Sequence, residues 1–456
     1  MSRNSLSRKH MDLTTGPLAK NIILYALPII ATGMLQLLFN AADLVVVGRY
    51  CGSVSVAAVG ATGAVINLTV TLFIGLSVGV GVLVATGLGA QNREQVSDAI
   101  HTAIPVALIG GVVLTAIGVA LTEPLLRLMK TPEDVISLSG LYMKIYFTGM
   151  PASLLYNYGA AVLRADGDTR RPLFFLSSAG VLNVALNVMF VVLFDLDVAG
   201  VALATSISQY FSAVLVIVAL MREQGAIRFE WGKMKISREA LYQIIRIGLP
   251  AGLQGAMFSI SNTIIQSSLN SFGSVAMAGC AAASNIEGFS YVAMNAFNQC
   301  AMNFIGQNYG AGNYDRVRKV ARLCVLDVIV TGLIVGWTVF ALGRPLLGIY
   351  ITDSEAAIAY GLIRMRYIST VHFLNGLHDT MTGVLRGLGS SFVPMIVTVG
   401  GVCVTRIIWI YTIFQVPAYH TLEMLFIVYP ISWIITSAIL FVCYFVLAKK
   451  KLPKEG

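Results

Sequence analysis

Twelve apolar stretches of bilayer-spanning length follow one another along this 456-residue chain, near 18–45, 55–86, 98–121, 137–163, 172–194, 198–221, 241–269, 277–305, 318–342, 358–385, 393–415 and 423–447. No other feature restricts the fold as strongly. Lipid offers the backbone no hydrogen-bonding partners, so an apolar run of about 20 residues crosses a membrane as a helix that satisfies itself. Only 12% of the residues are charged, about half of what a soluble domain carries, and no soluble domain of useful size fits between the stretches. The expectation is an all-α polytopic membrane protein with twelve transmembrane helices. The first stretch is too long for the apolar region of a signal peptide and has no small-residue cleavage site. The formal net charge of +9 fits basic loops on one side of a membrane, with no nucleic-acid partner. Six cysteines are scattered without a CxxC pair; they read as packing residues, not as a disulfide framework or zinc site.

The two halves of the chain repeat. CGSVSVAA (51–58) matches FGSVAMAG (272–279), GAQNREQV (89–96) matches GAGNYDRV (310–317), and EPLLRLM (123–129) matches RPLLGIY (344–350), each at an offset of 221. VLRADGD (162–168) matches VLRGLGS (384–390), Pro28 matches Pro250 and Pro172 matches Pro394, each at 222. Six spans per repeat is an even number, so both repeats start on the same side, related by an axis along the membrane normal. The expected organisation is an N-terminal six-helix lobe over 1–221, a basic cytoplasmic linker over 222–239 and a C-terminal six-helix lobe over 240–456, with a cleft between the pseudo-symmetric bundles. With the N-terminus inside, the inner segments hold most of the Lys and Arg, among them Arg3, Arg8, Lys9 and Lys454, and the outer loops hold Arg49, Arg127, Lys130 and Arg344. Both termini are therefore expected on the cytoplasmic side of a plasma membrane.

Polar residues inside the spans carry the functional information. Residues 17–48 contain Pro28 near the middle, and Gln36, Asn40 and Asp43 at i, i+4 and i+7 on one helical face. A carboxylate at membrane depth costs about 3 kcal/mol, and marks either a bond that ties helices together or an ion or substrate path. The fifth span carries Asn183 and Asn187 one turn apart, the fourth Asn157 and the sixth Thr205. With Asp43 they offer one carboxylate and several neutral oxygens, a set that suits sodium. A proton suits it too, because burial disfavours the charged carboxylate. In the second half, Gln254 lies in the seventh span, Glu287 in the eighth, and His372, Asn375, His378 and Asp379 in the tenth. Gln36, Asn40, Gln254, Glu287, Asn375 and Asp379 are candidates to line a substrate cleft. Glu287 and Asp379 either attract cations there or form an ion pair with Arg406 of the eleventh span. Pro28 and Pro250 are static kinks or hinges. The glycines of GLSVGVGVLVATGLGA (75–90) suit tight helix packing, not a dinucleotide. GxxxxGK[ST], HExxH and GxSxG do not occur, so neither an ATP-driven pump nor an enzyme is expected, and no cofactor.

The Leu-Pro pairs of the first and seventh spans, Asp43, the GAQN and GQNYGAGN segments, and the VLRADGDTRRP and VLRGLGSSFVP loops together resemble the multidrug and toxic compound extrusion (MATE) family, bacterial type, over nearly the whole length. The resemblance implies two six-helix lobes forming a V, alternating access, and export of small organic cations against sodium or proton entry. It implies a cation site in the N-terminal lobe, at Asp43, Asn157, Asn183, Asn187 and Thr205. Asn187 stands where many relatives carry Asp, and the seventh span offers Gln254 and Phe258 where some have Glu. Glu287 resembles the bacterial branches. A second reading stays open: a flippase for a lipid-linked saccharide, from the same wider superfamily. That reading calls for basic residues in the cavity, and the candidates are Lys144, Arg246 and Arg406, with Arg364 and Arg366 near a helix end. Besides substrate, the lipid bilayer is the expected partner, and a monomer the expected state.

Overall fold

A computed structural model describes residues 10–128, 131–352 and 354–453. Arg3, Arg8, Lys9, Lys130 and Lys454, used above for orientation, lie outside the described residues. Among the described residues there is no strand. The first half contains α1 (Leu18–Tyr50), α2 (Ser53–Gly89), α3 (Arg93–Leu128), α4 (Glu133–Thr148), α5 (Met150–Ala165), α6 (Arg170–Asn187) and α7 (Asp197–Met221). The second contains α8 (Arg238–Leu269), α9 (Ser274–Gly310), α10 (Tyr314–Ala341), α11 (Gly343–Tyr350), α12 (Glu355–Ile368), α13 (Phe373–Gly387), α14 (Phe392–Thr398), α15 (Thr405–Tyr411), α16 (Leu422–Phe426) and α17 (Val428–Lys451). A π-helical segment, Val188–Leu193, continues α6, and another, Val399–Val404, joins α14 to α15.

All twelve apolar stretches are helical, and among the described residues eight helices are long and apolar enough to cross a membrane. The remaining four stretches show why hydropathy alone is a blunt guide. The stretch at 137–163 is split between α4 and α5, because Pro151 in the first turn of α5 lacks the amide that would continue α4. The stretch at 358–385 breaks at a short 3-10 turn, Ser369–Val371. Helices α8 and α9 run unbroken for 32 and 37 residues, but many amide and hydroxyl side chains dilute their hydropathy.

The repeat reappears in the backbone. Helices α2 and α9 are both 37 residues long. Each ends with the same wrapped turn: Asn92 N–H donates to the Gly87 carbonyl at 2.9 Å, and Asn313 N–H to the Asn308 carbonyl at 2.9 Å. Such a turn needs a left-handed residue after the helix; Gln91 (φ 55) serves in the first half and Gly312 (φ 75) in the second.

The chain forms two compact units, and their boundary differs from the lobes 1–221 and 240–456 expected from the repeat. One unit holds 31–252 with the residues up to Leu13; the other holds 14–30 with the residues from Leu253 onward. The division falls inside α1 and α8, just after Pro28 and Pro250, and not in the polar linker. Packing explains it. In the second unit the leading half of α1 sets Tyr25 edge-on to Phe304 of α9, with ring centroids 5.4 Å apart. In the first, the leading half of α8 crosses α2 through two glycine pairs spaced four residues apart. A Cβ on Gly252 would stand 2.3 Å from the Leu72 carbonyl oxygen, and one on Gly79 would stand 2.3 Å from the Ile244 carbonyl oxygen. Only small residues allow backbones this close.

Two polar segments are fixed within the first unit. Linker residues Ile227 and Phe229 are buried, and Phe229 packs between the rings of His101 and Trp231 at 5.4 and 5.0 Å. Glu230 N–H donates to His101 Nε2 at 3.1 Å, Ser237 N–H donates to Thr102 Oγ1 at 3.0 Å, and Lys235 pairs with Asp98 at 2.8 Å. The loop before α6 is held by Asp168, which accepts the backbone N–H groups of Arg170 and Arg171 at 3.0 and 3.1 Å and pairs with the Arg171 side chain. Arg171 also pairs with Glu223. Gly167, just before Asp168, has φ 95, with the Met11 carbonyl oxygen where a Cβ would stand.

Candidate functional site

In the first unit, Asp43 near the end of α1 meets Asn187, the last residue of α6 before its π-helical continuation. Asn187 Nδ2 donates to Asp43 Oδ1 at 2.5 Å and lies 3.3 Å from Asn183 Oδ1. Asn183 Nδ2 donates in turn to Thr205 Oγ1 of α7 at 3.3 Å, and Thr205 returns its hydrogen to the Val201 carbonyl at 3.0 Å. Four of the five residues expected at a cation site thus form one hydrogen-bonded chain across three helices. The fifth does not join it: Asn157 donates to the Ser153 carbonyl of its own helix at 2.8 Å. Gln36 and Asn40 are exposed on α1.

One atom in this chain is suited to a cation. Asn187 Oδ1 is buried and accepts no hydrogen bond. A buried carbonyl oxygen without a donor carries an unmet desolvation cost, and a cation beside Asp43 would relieve it. One carboxylate with amide and hydroxyl oxygens is a hard-ligand set. Among the described residues no group of three or more His, Cys, Asp or Glu could hold a transition metal.

The second unit buries a larger polar network. Glu287 of α9 accepts from Arg364 of α12, with Nε and Nη2 at 3.1 and 2.9 Å from Oε2. This corrects the expected pairing of Glu287 or Asp379 with Arg406. Arg406 of α15 instead donates to Ser432 Oγ and Asn262 Oδ1, both at 3.2 Å. Its guanidinium lies 4.1 Å from the Tyr429 ring centroid and within 6 Å of those of Phe258 and Trp433. The reason is direction: the π-helical segment Val399–Val404 ends just before Arg406, and the ring faces supply a favourable cation–π environment there. Asp379 of α13 is held by Asn295 Nδ2 at 2.8 Å and Asn298 Nδ2 at 3.0 Å. Gln254 accepts from Arg386 at 2.9 Å. Asn375 bridges His372 and His378 at 3.2 and 2.9 Å.

The residues expected to line a substrate cleft therefore divide. Gln36 and Asn40 are exposed in the first unit. Gln254, Glu287 and Asn375 are buried in the second, and all three, like Asp379, are engaged by neighbours. Sequence reasoning missed the roles of Arg364 and Arg386. Arg364 was legible as a cation in a helical stretch, but Arg386 lies just past the end of the stretch at 358–385 and so reads as a loop charge, although it is only 8% exposed.

A family model described as MatE matches residues 28–189 and 250–412, the two repeats found above. The chain is 27% identical over 449 residues to the probable multidrug resistance protein YoeA of Bacillus subtilis, with 95% of each chain covered. It is 27% identical over 410 residues to the probable multidrug resistance protein NorM of Thermotoga maritima, covering 87% of this chain and 86% of that one. A solved structure described as an outward-facing multidrug resistance MATE family transporter superposes with a TM-score of 0.91 at 21% identity, over 98% of this chain and 99% of the other. At that identity the match shows a shared fold.

Proposed function

Because the chain belongs to the MATE family, a family of membrane transporters and not of enzymes, we propose that it is a secondary antiporter that exports organic cations, as in multidrug efflux, in exchange for sodium or protons. The observation that carries the reading is the Asp43–Asn187 pair, in which the amide that donates to the carboxylate also holds the unmet Asn187 oxygen. Asp43 takes up a sodium ion or a proton and is neutralised. The Asn187 hydrogen bond is then lost or redirected, and the trailing half of α1 moves relative to α6 about Pro28. Drug leaves outward in that state. Drug binding from the inside favours release of the coupling ion. Such coupling requires only that ion and drug differ in affinity for the two states. The protein works in a plasma membrane with both termini in the cytoplasm, and a single chain contains both repeats.

The test is efflux of a fluorescent organic cation from proteoliposomes under sodium and proton gradients imposed separately, with wild type beside Asp43→Asn. One gradient is expected to drive wild-type efflux, and Asp43→Asn is expected to lose it while folding normally. Normal gradient-driven efflux by the variant would sink the proposal. The second reading, a flippase for a lipid-linked saccharide, draws on a specific observation: Arg364, Arg386 and Arg406 are all buried, and Arg406 has no carboxylate partner among the described residues. Pyrophosphate-linked substrate protecting Arg406 from modification, with no cation efflux under either gradient, would favour it.

A further inference from the structure

The first unit contains an apolar groove of about 330 Å³ among α3, α5 and α7. Leu108, Leu155, Tyr210, Val214 and Met221 line it, and linker residue Trp231 is part of its wall. Tyr210 and Val214 are exposed, so the groove opens on the outside of the unit, where a membrane protein meets lipid. Its dimensions match one leaflet. Tyr210 and Met221 lie roughly 16 Å apart along α7 at the rise of an α-helix, about half of a ~30 Å hydrocarbon core.

The two ends differ in chemistry. The far end, at Tyr210 and Leu108, lies mid-helix and is apolar. The linker end has surplus positive charge. Arg222 follows Met221 directly, is exposed, and forms no ion pair among the described residues. Arg228 is 55% exposed and lies 3.8 Å from Glu230, which Lys233 approaches more closely, at 3.1 Å. Trp231 sits at this end, held by Phe229, as tryptophans sit at membrane interfaces.

We propose that this groove holds one acyl chain of an anionic phospholipid from the linker-side leaflet. Its phosphate rests against Arg222 and Arg228, and its chain runs past Trp231 and Met221 toward Tyr210 at the bilayer midplane. Charge complementarity selects the head group, and the groove length selects a single-leaflet chain. The inference rests on the membrane-spanning fold and not on what the protein transports.

Tryptophan quenching tests it on the full chain. The protein is reconstituted in phosphatidylcholine vesicles containing brominated-chain phosphatidylglycerol or brominated-chain phosphatidylcholine. The Trp231 signal is the difference between wild type and Trp231→Phe. Phosphatidylglycerol is expected to half-quench that signal at a roughly thirtyfold lower mole fraction, the scale set by two arginines at an anionic surface. The double variant R222Q/R228Q is expected to raise that fraction to the phosphatidylcholine value. Val214→Phe, which fills the groove from an exposed position and keeps both arginines, is expected to remove the preference as well. Equal quenching by the two lipids overturns the proposal and leaves an unselective lipid-facing groove. So does a preference that survives Val214→Phe, a result that stands even if the double variant fails to fold.

Discussion

Gln91 is held in left-handed backbone (φ 55) where its repeat mate is Gly312 (φ 75). A residue with a Cβ is disfavoured there by roughly 1 kcal/mol, and Gln91 is exposed. Gln91→Gly is therefore expected to leave the fold intact and raise the thermal midpoint slightly, by up to about 1 kcal/mol of stability; a lower midpoint in a melting assay would show that the side chain matters. Gly167 predicts the opposite sign. Its φ of 95 and the Met11 carbonyl at the missing Cβ position leave no room, so Gly167→Ala is expected to destabilise by about 1–3 kcal/mol through strain and overpacking. The Glu287–Arg364 pair is a third residue-scale case. Removing one partner strands a buried charge, so Arg364→Met is expected to cost about 3–5 kcal/mol. Pairing it with Glu287→Gln should restore much of that. A double variant as unstable as the single one would show that Arg364 acts through packing alone.

At the level of elements, the crossing of α2 and α8 is fixed by backbone approach. Gly252→Leu is expected to push the helices apart, lowering stability and efflux together, whereas Gly232→Ala, in the linker with open space around it, is expected to do neither. Parallel melting and transport assays on the two variants would separate packing from a general intolerance of glycine replacement. In the linker, the Lys233 hydrogen bond holds the Glu230 carboxyl below its ordinary value. A depressed carboxyl stabilises the folded form above the unfolded value, and that contribution fades as pH falls through the folded one. The linker is thus expected to loosen below about pH 4, read as faster pepsin cleavage near Phe229, and Glu230→Gln is expected to abolish that acid step. The effect is small because the pair is exposed.

At the scale of the molecule, counting twelve spans along the sequence puts most of the basic residues in the segments expected on one side of the membrane. With the linker cytoplasmic, Gln224→Cys is expected to react with an impermeant thiol reagent in inverted vesicles and not in right-side-out ones, above the background of the native cysteines. The reverse pattern would invert the topology. Composition and periodicity alone determined that this chain is a helical membrane protein of two repeats, because apolar length and a constant offset are properties of the chain itself. They also singled out Asp43, Asn157, Asn183, Asn187 and Thr205 as polar groups in apolar stretches, because such groups are costly in lipid. Only the tertiary structure decided which partner each buried charge takes. Glu287 meets Arg364 and not Arg406, Asn157 turns back to its own helix, and the leading halves of α1 and α8 join the unit opposite to their own repeat. Side-chain direction after a π-helical segment, and the close fit of glycine-lined backbones, depend on contacts between residues dozens to hundreds of positions apart, and helical spacing carries no record of them.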